Sequence, residues 1–80
     1  EMDKRFLALL SEVFGLRECD VHPGLKKADV GTWDSLRQMD LVTTLEREYE
    51  VALDIPDILR MISVAGILEV LQEKGVVVGN

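Results

Sequence analysis

Trp33-Asp34-Ser35-Leu36-Arg37-Gln38-Met39-Asp40-Leu41-Val42-Thr43-Thr44-Leu45-Glu46-Arg47-Glu48-Tyr49-Glu50 runs from an aromatic residue, through an acid and a hydroxyl, into a long amphipathic segment. Asp34 is a strong helix N-cap, because its carboxylate accepts from backbone N–H groups that a first helical turn leaves without partners. Leu36, Met39, Val42, Leu45 and Tyr49 follow at helical spacing and predict a helix to about residue 50. At roughly 100° per residue, Arg37, Asp40, Thr44, Arg47 and Glu48 fall on the opposite side, toward water or a partner.

Working outward, residues 2 to 14 place Phe6, Leu10, Val13 and Phe14 on one stripe, widened by Met2, Leu7 and Leu9, and Gly15 is positioned as a left-handed stop. Between Leu16 and Trp33 periodicity is lost. Pro23-Gly24 and Gly31 mark turns, and the isolated Val21, Leu25 and Val30 are placed to pin a long loop onto the core. Past the central helix, Pro56 at a first helical position with Asp57, Ile58, Leu59 and Met61 predicts a short third helix. Ser63 then caps a fourth, with Ile62 and Ile67 spaced for a hydrophobic staple and Val64, Ile67, Leu68 and Leu71 facing inward. Gly75 stops that helix after Lys74. The expected fold is an all-α four-helix bundle with three longer helices, a short third one and a long loop between the first two. One domain covers residues 1–75, and residues 76–80 form a disordered tail.

Eighty residues, 48% of them hydrophobic, hold one small core and leave little room for a buried catalytic cleft. Phe6, Phe14, Trp33 and Tyr49 are the aromatic residues, so that core is mainly Leu, Val and Ile. The net charge is −6, and between Asp34 and Asp57 seven acids face only Arg37 and Arg47. Such a surface repels nucleic acid and anionic lipid and steers basic partners toward it. Cys19 has no second cysteine to pair with, no apolar run is long enough to span a membrane, and no signal pattern opens the chain. The expectation is a soluble, cytoplasmic monomer.

Asp34-Ser35-Leu36 opening an amphipathic helix, Leu41-Val42, Leu45-Glu46, Glu48-Tyr49-Glu50-Val51, a short helix and Ile62-Ser63-Val64 opening the last one resemble, in order and spacing, the acyl carrier protein family. The first helix and loop match in length and pattern only. The resemblance implies that Ser35 accepts 4′-phosphopantetheine from coenzyme A, with Asp34 and Leu36 flanking the attachment point. Asp34 would help orient the magnesium of a phosphopantetheinyl transferase. It implies no catalytic residue and no resident metal; the arm's thiol does the covalent chemistry and holds acyl intermediates as thioesters. The second helix is implied to dock on basic patches of acyl-loading and acyl-transferring enzymes of fatty-acid, lipid or polyketide type. Leu36, Met39, Asp40 and Glu46 occupy the matching positions, with Met61 near the short helix. Arg37 and Arg47 stand where fatty-acid carriers are often acidic, which suggests selection of specialised clients through charge mismatch. The family also implies a cargo cavity between helices, here lined by Leu45, Ile62 and Leu68.

The Ser35 position has its own electrostatic logic, since a first-turn hydroxyl sits beside unsatisfied N–H groups at the positive end of the helix dipole, where a phosphodiester is favoured. Plainer readings stand beside it. Asp34-Ser35 alone is a common helix start, and Ser35 as a hydrolase nucleophile lacks the G-x-S-x-G elbow and has only His22 as a base. Cys19 and His22 form at most half a zinc site. Trp33 reads as packing the loop onto the core, and Glu46, Glu48 and Glu50 as a solvated helix end. A peptidyl or aminoacyl carrier, and an unmodified acidic helical adaptor, are the rival functions.

Overall fold

A computed structural model describes residues 2–78. The Asp3 carboxylate opens the first helix, α1 (Lys4–Phe14), by accepting from the Phe6 N–H at 2.9 Å, and Gly15 closes it at φ 65°, a conformation open to a residue without Cβ. The second helix, α2 (Ser35–Tyr49), starts where Asp34 accepts from the Arg37 N–H at 2.8 Å. A short α3 (Ile55–Arg60) and α4 (Val64–Glu73) complete the order, so the described residues form the expected all-α arrangement. α4 ends in a Schellman motif: the Gly75 N–H donates to the Gln72 carbonyl at 3.0 Å and the Val76 N–H to that of Leu71 at 2.9 Å.

Phe6, Leu10 and Phe14 of α1, Leu41 and Leu45 of α2, and Ile67 and Leu71 of α4 fill the core. α2 turns a different face inward from the one its row of apolar residues suggests. Its buried residues are Gln38, Leu41, Val42 and Leu45, while Leu36 is 77% and Met39 53% exposed. A row spaced by three residues falls about 60° short of a full turn at each step, so it winds around the helix instead of staying on one side.

The loop between α1 and α2 contains two 3-10 turns, Glu18–Asp20 and Lys27–Asp29. Val21 and Val30 are buried in the core as expected, with Leu25 packed at its margin. The loop also completes the start of α4. The Val64 and Ala65 N–H groups donate to the Leu25 and Pro23 carbonyls at 2.9 and 3.0 Å, and the Gly66 N–H to Ser63 Oγ at 2.9 Å. These are the donors that a helix start cannot satisfy by itself. The predicted staple is not what anchors this end, since Ile62 is 58% exposed and contributes its carbonyl, which accepts from the Lys27 N–H at 2.9 Å.

α3 begins one residue earlier than Pro56 suggests. Asp54 and Asp57 form a capping box, each carboxylate accepting from the other's N–H at 3.1 and 3.2 Å, so Ile55 is the first helical residue. Six residues make a marginal helix, and ion pairs fasten this one to α4. Arg60 forks onto Glu73 at 2.7 Å through both nitrogens and reaches Glu69 at 3.3 Å, while Lys74 meets Asp57 at 2.9 Å. The Lys74 ammonium, with the capping N–H of Asp54, holds the Asp57 carboxyl below the usual range, and Arg60 does the same for Glu73.

The tail expected at 76–80 is ordered through residue 78. Val78 is buried and its carbonyl accepts from the Asp3 N–H at 3.0 Å, tying the two ends of the chain together; residues 79 and 80 lie outside the described part.

Candidate functional site

The corner that leads into α2 is fixed from three directions. Trp33 is 3% exposed and stacks on Phe14 with ring centroids 4.3 Å apart. Its indole N–H donates to the Gln38 side-chain oxygen at 2.6 Å, and the Gln38 amide nitrogen donates to the Met61 carbonyl at 3.0 Å. Gln38 thus links the residues just before the helix to the end of α3. On the other side, the Thr32 hydroxyl donates to the Phe14 carbonyl at 2.6 Å and Arg37 Nη1 to the Val13 carbonyl at 2.8 Å, satisfying the last turn of α1. Asp34 and Ser35 therefore stand on a rigid support.

On that support the first turn of α2 is open. Ser35 and Leu36 are exposed, and among the described residues their N–H groups have no acceptor. The chain's three serines separate cleanly. Ser11 donates to the Leu16 carbonyl, Ser63 Oγ accepts from Gly66, and both are half-buried. Ser35 is exposed, and no hydrogen bond engages its hydroxyl among the described residues. An accessible hydroxyl beside free N–H donors and the Asp34 carboxylate fits a covalently attached phosphodiester, whose oxygens those donors would serve.

The predicted docking residues divide. Leu36, Arg37, Met39, Asp40 and Thr43 line one shallow groove of about 400 Å³ on the outer face of α2. Glu46 lies further along and is half-buried, with its carboxylate accepting from the Leu53 N–H at 3.0 Å. Arg47 is exposed and meets Glu48 at 3.5 Å. Met61 does not belong to the set: it is 0% exposed, because the short α3 ends by turning that side chain into the core. Nor do Leu45, Ile62 and Leu68 surround a cargo cavity, since Leu45 is packed in the core, Leu68 at its margin, and Ile62 points outward.

Gln38 and Asp57 are the buried polar residues among those described; the sequence reading gave Gln38 no role and placed Asp57 in the short third helix without anticipating its burial. Gln38 had a signal, since it sits three and four residues before Leu41 and Val42 and seven before Leu45, on the true inward stripe. Cys19 and His22 are exposed, and no group of three His, Cys, Asp or Glu gathers around a metal position among the described residues. No described helix is long and apolar enough to cross a membrane.

The model of the family described as "Phosphopantetheine attachment site" matches residues 4–71. No curated protein shows significant sequence similarity to the chain. With the match running from α1 into the last turn of α4, the chain belongs to that family: it is a phosphopantetheine carrier domain, the kind that takes 4′-phosphopantetheine covalently and works with phosphopantetheinyl transferase and partner enzymes.

Proposed function

We propose that Ser35 Oγ is the attachment point of the arm and that the domain carries acyl groups as thioesters to fatty-acid, lipid or polyketide-type enzymes. The observation that supports this most is the separation of the serines, since Ser35 alone combines exposure with an unengaged hydroxyl among the described residues. In the loading step the Ser35 oxygen forms a new O–P bond as the pyrophosphate bond of coenzyme A breaks, the nucleotide half leaves and the hydroxyl proton is lost. Asp34, exposed and adjacent, would help hold the transferase's metal, and its carboxylate also accepts from the Arg37 N–H. The arm supplies a thiol on a long flexible tether, while the protein supplies the position from which it swings.

Clients dock on the outer face of α2. Leu36 and Met39 offer exposed apolar contact, Asp40 an acid for a basic patch, and Arg47 a cation that disfavours partners built for an all-acidic helix. Glu46 contributes less than its charge suggests, because Leu53 occupies its carboxylate. Arg37 carries a second task at Val13, so Arg47 is the cleaner determinant of client choice. The domain performs no catalysis of its own and works as a cytoplasmic monomer.

Incubation with coenzyme A and a broad-range transferase tests the reading. The intact protein should gain one phosphopantetheine, and Ser35→Ala should gain none. A wild-type protein whose mass stays unchanged with every competent transferase would leave an acidic helical adaptor as the better description.

A further inference from the structure

The loop that approaches the Ser35 corner carries the adjacent pair Lys26-Lys27, and its backbone is held there from several sides. Lys26 forms an antiparallel bridge with Ser63, and the Lys27 N–H donates to the Ile62 carbonyl at 2.9 Å. The carbonyls of Lys26 and Lys27 accept from Asp29 and Val30 at 3.0 and 3.2 Å. Both side chains therefore hang from fixed points. With Ala28, Trp33 and Ile62 they line an open groove of about 390 Å³, in which Ile62 is exposed and Trp33 shows only 3% of its surface.

Arg5, Arg17, Arg47, Arg60 and Lys74 each pair with a carboxylate. Among the described residues Lys4, Lys26, Lys27 and Arg37 pair with none, and of these only Lys26 and Lys27 are neighbours lining one groove. They are two neighbouring cations without an ion-pair partner on a chain of net charge −6. Trp33, which lines the groove, is two residues from Ser35, at most about 7 Å along the backbone.

A trough with the exposed Ile62 in its lining and two lysines beside it suits a short chain that is apolar along its length and anionic at its end. A neutral acyl chain leaves the lysines unanswered. The arm's phosphodiester is bonded to Ser35 Oγ beside the free N–H groups of α2, so only the mobile part of the arm reaches the groove. We propose that the Lys26–Trp33–Ile62 groove docks the terminal carboxylate of a dicarboxylic acyl group carried on the arm. This rests on Ser35 being the attachment point.

Succinyl and butyryl groups have equal carbon number and differ in a terminal carboxylate against a methyl group. A transferase can install either on Ser35 from its coenzyme A thioester. Amide and indole N–H resonances of Lys26, Lys27, Ala28, Trp33 and Ile62 are then compared with those of the protein carrying the unacylated arm. The succinyl form should perturb them about two- to fivefold more than the butyryl form, the scale of one exposed ion pair. The doubly substituted Lys26→Gln, Lys27→Gln protein, whose changed side chains make no internal ion pair, should keep its fold and lose the difference. Equal perturbation by both cargoes overturns the proposal, as does the full effect already present with the unacylated arm, which would assign the lysines to the phosphodiester. Failure to gain any arm would instead overturn the reading of Ser35, and this proposal with it.

Discussion

α2 and α4 begin alike and are treated differently. Each has a side-chain cap, Asp34 on Arg37 and Ser63 on Gly66, three residues on. At α4 the loop comes back to satisfy the two donors before Gly66, the Val64 and Ala65 N–H groups, through the Leu25 and Pro23 carbonyls, and α3 lies against the same end. At α2 the corresponding N–H groups of Ser35 and Leu36 are left free among the described residues, although Trp33, Gln38, Thr32 and Arg37 make the surrounding corner rigid. One helix start is sealed for stability and the other is braced but left open. An unsatisfied pair of donors on a rigid corner is what a site looks like when its ligand is an anion added after folding.

Exchange of the two serines' roles should give the largest effect. Ser35→Ala abolishes pantetheinylation and barely changes thermal stability, whereas Ser63→Ala leaves loading intact and costs about 1 kcal/mol as a lost cap; intact mass and thermal melts read both. Gly66 sharpens the contrast, because a Cβ there would overlap the Arg60 carbonyl oxygen at the junction of α3 and α4. Gly66→Ala should destabilise by about 1–3 kcal/mol in a denaturant titration. Gln38→Leu would strip the brace from the open corner, leaving the Trp33 indole N–H and the Met61 carbonyl unpaired. It should cost about 1–3 kcal/mol and slow loading at Ser35 as the corner loosens.

The sealed end should also respond to acid. Asp57 and Glu73 have carboxyls held below their ordinary values by Lys74 and Arg60, so their contribution is present above the ordinary carboxylate range near pH ~4 and is lost as pH falls through their lower folded values. Amide resonances of residues 55–60 should therefore hold through the ordinary carboxylate range and change as pH falls below it, and Asp57→Asn should flatten that response. The smallest effect is expected on the outer face of α2. Arg47→Glu should speed loading by fatty-acid synthesis enzymes by roughly twofold, the worth of one exposed charge contact; an unchanged rate would remove Arg47 from client choice.

What could be read from the sequence was local. Asp34, Ser63, Gly15 and Gly75 set their helix ends through groups a few residues away, and Trp33 before a cap packs as its size demands. The errors came where tertiary partners decide. The row from Leu36 to Tyr49 looks inward only if its drift around the helix is ignored, and burying Gln38 makes sense only once Trp33 and Met61 stand on either side of it. Met61 reads as a surface residue until the short α3 is seen to end there, and the tail reads as frayed because its partner, Asp3, lies at the opposite end of the chain. The hydroxyl of Ser35 was anticipated by motif, but its contrast with Ser11 and Ser63 emerges only in the folded chain, where those two are engaged.

The most direct test locates the added group. Trypsin should release Ala28–Arg37 from the loaded protein, a peptide whose only serine is Ser35. Fragmentation should place the whole mass gain on that serine, with the peptides containing Ser11 and Ser63 unmodified. A phosphopantetheine found on either of those, or a loaded Ser35→Ala protein, would contradict the account of an open corner at the start of α2.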